Sequence, residues 1–339
     1  MSAFRRKKHR ILVAVLLTIG ALTSADGAEP REEIGFGSNP GNLRMFKYTP
    51  ATLSPAAPLI VVLHGCKQKA IRFASDAGWL AVADSLKLAL LLPEQKGLPS
   101  YLHDVYLFPW VVAGFGANNQ NGCFNWFDPD HTARDRGEAL SIRQMIDAMV
   151  QRYSVNESRI YVVGLSAGAA MSAVMLAAYP ERFAGGAIVA GVPYGCADRV
   201  TKAFECMNPG VDQSPAEWRR RIRGAKQLEG RVPRVSIWQG TNDVTVIPRN
   251  LKELVEQWTA FHDIAATPSS REVKNRITRE IYVNDGVTQV ESVLVEGLGH
   301  AFPIHTDDTS SCGQPGDFVV SAGICAAREI TRFWGLPGN

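Results

Sequence analysis

The run Arg159-Ile160-Tyr161-Val162-Val163-Gly164-Leu165-Ser166-Ala167-Gly168-Ala169-Ala170-Met171-Ser172-Ala173-Val174-Met175 decides how the rest of the chain is read. Ile160–Val163 is β-branched and aromatic, the composition of a buried strand. From Ala169 onward the residues are strong helix formers, and the stretch ends before Pro180. Between them stands Gly-x-Ser-x-Gly. A serine on a sharp strand-to-helix turn exposes its hydroxyl, and glycines at 164 and 168 let the two elements approach without side-chain clash. The helix start adds free N–H groups and a favourable dipole for a developing negative charge. In a chain with 30 glycines the bare pattern is weak, and a small-residue turn without chemistry would carry the same letters. The strand-turn-helix context is what makes Ser166 the candidate nucleophile.

Short apolar runs recur on both sides of this stretch: Leu59–Leu63, Leu88–Leu92, Ala187–Ala190, Val235–Trp238 and Ser292–Val295. They read as buried parallel strands. Segments with helical spacing alternate with them, among them Gly137–Tyr153, Ala167–Tyr179 and Leu251–His262. Strand alternating with helix predicts an α/β architecture with a mostly parallel, doubly wound sheet, in which function gathers at the carboxyl ends of strands. Residues 194–231 differ, with two cysteines, several prolines and a basic Trp218–Arg223 stretch, and read as a cap-like excursion over the site.

A serine hydroxyl needs a neighbouring base to take its proton and later return it to a leaving group. Among the 7 histidines, His300 follows the run Ser292–Val295 in a glycine-flexed loop, Gly297-Leu298-Gly299-His300, whereas His103, His131, His262 and His305 lie in polar segments or helices. The acid is expected after the preceding strand, where Val235–Trp238 runs into Gln239-Gly240-Thr241-Asn242-Asp243. Turn aspartates are common for local reasons, as Asp285 in the hairpin turn Asn284-Asp285-Gly286 shows. The chain order Ser166, Asp243, His300 nevertheless matches the order on the α/β-hydrolase fold. On that fold the loop after an early strand, here Leu63-His64-Gly65-Cys66, donates an N–H to the tetrahedral intermediate, so the Cys66 and Ala167 N–H groups are the expected oxyanion donors. His64 reads as a residue that fixes this loop and not as a second base. Trp126, Phe127 and Phe302 are candidates for an apolar substrate wall, with core packing as the alternative for each.

The amino terminus has the pattern of a cleavable export signal: Arg5, Arg6, Lys7, Lys8 and Arg10, an apolar run from Ile11 to Leu22, then small residues. That run is shorter than the roughly 20 residues a spanning helix needs, and cleavage is expected between residues 25 and 28. Residues 30–339 are then one catalytic domain, secreted or periplasmic, without stable membrane insertion. Removing residues 1–25 takes five bases and no acid from a total of 36 Lys+Arg against 33 Asp+Glu, leaving 31 against 33. The basic excess belongs to the leader, so nucleic-acid binding has no electrostatic footprint. The 6 cysteines fit disulfides in an exported chain, and no Cys-x-x-Cys pair supports zinc. Cys196 with Cys206 and Cys312 with Cys325 would close short loops and leave Cys66 for Cys123, although other pairings remain formally open.

Taken together, Leu63-His64-Gly65-Cys66, Gly122-Cys123-Phe124-Asn125-Trp126-Phe127, Gly164–Gly168, Gly240-Thr241-Asn242-Asp243 and Gly299-His300-Ala301 give a sequence that resembles the polyhydroxybutyrate depolymerase family of esterases, over residues 40–335. It is similar also to secreted feruloyl and acetylxylan esterases. The resemblance implies a serine hydrolase working through an acyl-enzyme on esters or oligoesters of short hydroxyacids, or alternatively on feruloyl or acetyl esters of cell-wall carbohydrate, with no metal and no organic cofactor. Two departures stand out. Phe302-Pro303-Ile304 follows the histidine motif where the family often has tryptophan, proline and glycine, and no linker with a polymer-binding module precedes Asn339, which points to oligomers or small soluble esters. A peptidase, an acyltransferase and a non-catalytic binding protein are the competing classes.

Overall fold

The computed structural model describes residues 28–103, 107–225, 232–307 and 312–336; the expected leader lies outside them, as does the end of the 194–231 excursion. The strands are β1 (Arg31–Glu33), β2 (Arg44–Tyr48), β3 (Ala57–Leu63), β4 (Ala89–Glu94), β5 (Val155–Leu165), β6 (Gly185–Val189), β7 (Arg234–Gly240), β8 (Ser270–Lys274), β9 (Ile277–Asn284), β10 (Val287–Val295), β11 (Phe302–Ile304) and β12 (Val319–Ser321). The α-helices are α1 (Ala70–Asp76), α2 (Trp79–Leu86), α3 (Pro109–Gly114), α4 (Pro129–Thr132), α5 (Gly137–Arg152), α6 (Ala167–Ala178), α7 (Val200–Met207), α8 (Pro215–Gly224), α9 (Arg249–Phe261) and α10 (Ala326–Phe333).

Ten strands form one sheet in the order β1-β2-β4-β3-β5-β6-β7-β10-β9-β8, and β11 pairs with β12 separately. From β4 to β10 every neighbouring pair is parallel, while β1, β2, β9 and β8 add antiparallel pairs at the two edges. The six expected strands are all present within this parallel centre. The antiparallel edges had no comparable signal, because β8 is exposed along its length and lacks the apolar run that marks a buried strand. Only the turn between β9 and β10 announces itself: Asp285 and Gly286 both take positive φ, 48° and 76°, as the tight hairpin turn demands.

Alternate residues of the central strands enter different cores. Leu59, Val61 and Leu63 of β3 join Ile160 and Val162 of β5 under α5, α6 and α9. Ile60, Val62, Tyr161, Val163 and Leu165 face the other way, toward α1, α2 and α10. This is the three-layer arrangement that buries both faces of a parallel sheet. Helix α6 is buried at every position, which explains why its sequence is apolar all round and built from alanine and methionine. The 194–231 excursion carries α7 and α8. It is anchored to α9, where Trp218 Nε1 donates to Glu253 (2.9 Å) and Gln257 exchanges hydrogen bonds with the backbone of Tyr194, and to the loop before α9 through Ile247 N–H and the Met207 carbonyl (3.0 Å).

Phe302 corrects one expectation. Its side chain has no exposed surface and sits edge-on to Phe73 and Trp79, with ring centroids 5.7 and 6.2 Å away. It fills the core under α1 and α2 and lines no open cleft. The physical reason is that the short strand β11 is buried at every position, which leaves this side chain no route to solvent. Phe302→Ala is therefore expected to remove about 3–5 kcal/mol of stability, read from denaturant unfolding of the oxidised protein.

Candidate active site

Ser166 ends β5 and begins α6 with φ 57° and ψ −118°, a conformation ordinary side chains avoid and functional turns retain. The glycines around it are required by proximity. A Cβ on Gly164 would strike the Gly168 carbonyl, and one on Gly168 would strike the carbonyls of Leu63 and His64. Strand β5, helix α6 and the end of β3 thus meet backbone to backbone.

The sheet order puts the carboxyl ends of β5, β7 and β10 along one edge, and each delivers one side chain. His300 Nε2 lies 2.8 Å from Ser166 Oγ, and His300 Nδ1 lies 2.7 Å from Asp243 Oδ2. A carboxylate only accepts, so the imidazole proton belongs on Nδ1 and the Nε2 lone pair accepts from the serine hydroxyl. Asp243 is buried, and its other oxygen accepts the N–H groups of Thr245 and Val246, both at 2.9 Å. Gln239 Nε2 adds a hydrogen bond to Oδ2 at 3.0 Å. The acid and base loops are clasped directly: Thr241 N–H donates to Val295 (3.1 Å), Asn242 N–H to Leu298 (2.9 Å), and Gly297 N–H to Thr241 Oγ1 (2.8 Å).

The loop after β3 reaches the serine from the opposite side. A Cβ built on Gly65 would stand 3.5 Å from Ser166 Cβ. Gly65 N–H is taken by Gln68 Oε1 (2.7 Å) and Ser166 N–H by the Val189 carbonyl (3.0 Å), so Cys66 and Ala167 carry the next N–H groups along each turn. Cys66 is bonded to Cys123, and Lys67 N–H donates to the Asn121 carbonyl (2.7 Å). The other disulfides join Cys196 to Cys206 and Cys312 to Cys325. His64 is fully buried, with Nδ1 2.7 Å from the Gly65 carbonyl and Nε2 accepting from Gln95 N–H (3.1 Å). Burial pushes its pKa down, so it holds the loop as a neutral ring.

Several residues of this neighbourhood escaped sequence reasoning. Glu138, at the start of α5, is fully buried and accepts from Asn125 N–H (2.9 Å), Asn125 Nδ2 (2.7 Å) and Gln95 Nε2 (2.5 Å). It ties the Cys123–Phe127 segment to the end of β4. Phe318, from the loop closed by Cys312–Cys325, stands edge-on to His300 with ring centroids 6.0 Å apart. Of the expected wall residues, Trp126 is buried and Phe127 half-buried, T-shaped to each other at 5.6 Å, in the core cluster that also receives Cys66 and Cys123.

A strained serine after the strand, an imidazole and a carboxylate in a hydrogen-bonded row, and two backbone turns facing the serine define, on this sheet, a serine esterase of the α/β-hydrolase class. The family model of the esterase PHB depolymerases matches residues 45–280, and the chain belongs to that family. It is 40% identical over 306 residues to the poly(3-hydroxyalkanoate) depolymerase C of Paucimonas lemoignei, covering 89% of this chain and 69% of that protein. It is 31% identical over 277 residues to an acetylxylan esterase of Coprinopsis cinerea, covering 79% and 68%. The solved structure of an acetyl xylan esterase from Aspergillus awamori shares the fold at a TM-score of 0.73 and 21% identity, over 91% of this chain and 100% of that one. No helix among the described residues is long and apolar enough to cross a membrane.

Burial, with a smaller push from the nearby Asp128 carboxylate, raises the Glu138 carboxyl from its ordinary 4.5 to about 8, against the pull of its three hydrogen bonds. The folded chain therefore binds this proton more tightly than the unfolded chain. The stability it contributes is complete below about pH 4.5 and is lost as pH rises through about 8. Unfolding midpoints measured at pH 5 and pH 9 are expected to fall more in the native protein than in Glu138→Gln.

Proposed function

We propose that Ser166 is the nucleophile, His300 the general base and acid, and Asp243 the residue that orients the imidazole. The observation that carries this reading is the unbroken row of hydrogen bonds from Ser166 Oγ through His300 to Asp243. As Oγ attacks the ester carbonyl, Nε2 takes its proton, and the Asp243 carboxylate stabilises the resulting imidazolium. The carbonyl oxygen becomes an oxyanion, for which the Cys66 and Ala167 N–H groups are the proposed donors. The Ala167 group sits at the positive end of α6, and the Cys66 group is fixed by the link to Cys123. Collapse of the tetrahedral intermediate expels the alcohol, protonated by His300, and water repeats the sequence to free the acid.

The preferred substrate is an ester of a short hydroxyalkanoate, as a polyester or its oligomers. This assignment rests on the 40% identity to a poly(3-hydroxyalkanoate) depolymerase across 89% of the chain. An acetyl or feruloyl ester of cell-wall carbohydrate is the second reading, favoured by the similarity to an acetylxylan esterase at 31% identity. Phe127, half-buried beside the disulfide-fixed loop, is the expected wall residue that keeps access to solvent, with Trp126 behind it. The three disulfides and the expected leader at residues 1–25 support export to an oxidising compartment.

Ser166→Ala is expected to lower kcat by about four to six orders of magnitude with the fold intact, and Asp243→Asn by about four. A phosphonate serine-hydrolase probe should label Ser166 in peptide maps. Hydroxybutyrate oligomers turning over faster than feruloyl or acetylxylan esters would support the depolymerase assignment, and the reverse ranking would select the carbohydrate esterase. Near-native activity of Ser166→Ala would overturn the catalytic assignment.

A further inference from the structure

Phe318 occupies a place where its residue type is costly. Gly316 and Val319 exchange two backbone hydrogen bonds, each 3.0 Å, and close a four-residue turn with Asp317 and Phe318 at its tip. Phe318 has φ 55°, at the turn position that ordinarily takes glycine or asparagine. Among the described residues at positive φ it is the one aromatic. The side chain gains little by burial there, since it is 44% exposed, so the strain is not offset by core packing.

The turn is held from three directions, and two of them belong to the site. Gln68 donates from Nε2 to the Asp317 carbonyl while its Oε1 accepts Gly65 N–H, so one side chain fixes both the loop that faces Ser166 and the tip of this turn. Phe302 N–H donates to the Phe318 carbonyl (2.8 Å), two residues after His300. The Cys312–Cys325 bond closes the loop behind. The result is an apolar, solvent-facing ring standing edge-on to His300 at 6.0 Å.

We propose that Phe318 is a specificity-determining residue: it forms the wall met by the alcohol half of the ester. This rests on the assignment of His300 as the general acid. The imidazole hands its proton to the leaving alcohol oxygen, so the alcohol passes beside it, and the exposed aromatic ring next to the imidazole is the apolar surface in its path. Such a wall favours alcohols with methyl and methylene groups, as in a hydroxyalkanoate unit, over small polar ones.

The test uses the full-length oxidised protein and two ester series, one with a fixed acetyl group and alcohols from methanol to butanol and 3-hydroxybutyrate, the other with a fixed methanol and acids from two to eight carbons. Phe318→Gly removes the ring and relieves the left-handed backbone. It is expected to lower the ratio of kcat/KM for the largest over the smallest alcohol about tenfold and to leave the ratios of the acyl series unchanged. Phe318→Leu should give an intermediate alcohol ratio, which keeps the test open if the glycine variant fails to fold. Val320→Ala, in β12 just beyond the turn at a site 45% exposed, should change neither ratio. An unchanged alcohol ratio in both Phe318 variants, or a change confined to the acyl series, would overturn the proposal. Failure of the underlying catalytic reading is separately visible: the native protein would turn over neither series and take no phosphonate label, and both readings would fall.

Discussion

The carbonyl oxygens of Leu63 and His64 lie where a side chain on residue 168 would have to stand, and the Gly168 carbonyl lies where one on residue 164 would. Every other feature of the site depends on this backbone contact. It lets α6 begin directly against β3 and β5, it forces Ser166 into its strained turn, and it brings the loop after β3 against the serine. An alanine at either position would push the helix away from the sheet and shift Ser166 against the loop after β3. Because close packing transmits displacement and does not absorb it, the cost would appear in geometry before it appeared in stability.

Two buried carboxyls near the site show how surroundings assign a task. Asp243 receives two backbone N–H groups, the Gln239 amide and His300, an arrangement that fits a group holding an imidazole in one tautomer. Glu138 receives only amide donors in full burial, and its raised pKa follows from desolvation. The first belongs to the hydrogen-bonded row with His300 and Ser166. The second is a staple between the Cys123–Phe127 segment and the end of β4, beside the loop that Cys66 belongs to.

The parallel centre of the sheet was legible because both its faces are buried, which writes each strand as an uninterrupted apolar run such as Ile160–Val163. The order of Ser166, Asp243 and His300 was legible because each sits just past one of those runs. What was not legible depends on contacts between distant segments. Glu138 begins an amphipathic helix and looks like any first-turn acid, and only the arrival of Asn125 and Gln95 makes it interior. Phe318 opens the short run Phe318-Val319-Val320 after a polar stretch and reads as the start of an ordinary strand, so nothing in its neighbours announces the imidazole beside it. Phe302, next to the histidine motif, drew the role of a wall residue because adjacency along the chain was taken for adjacency in space, whereas its ring packs inward against Phe73 and Trp79.

The clasp between the loops carrying Asp243 and His300 is made by main-chain groups at Thr241, Asn242, Val295 and Leu298, with a single hydroxyl assisting at Gly297. A main-chain bond cannot be lost by exchanging a side chain, unless the exchange brings in proline. Apart from Gly240, where a Cβ would strike the Leu298 carbonyl, and Gly297, at positive φ, the residues bordering Asp243 and His300 can change in size and polarity while those two side chains keep their spacing. Selection can act on this rim without breaking the hydrogen-bonded row from Ser166 to Asp243, and this offers a physical route by which one scaffold comes to accept different esters.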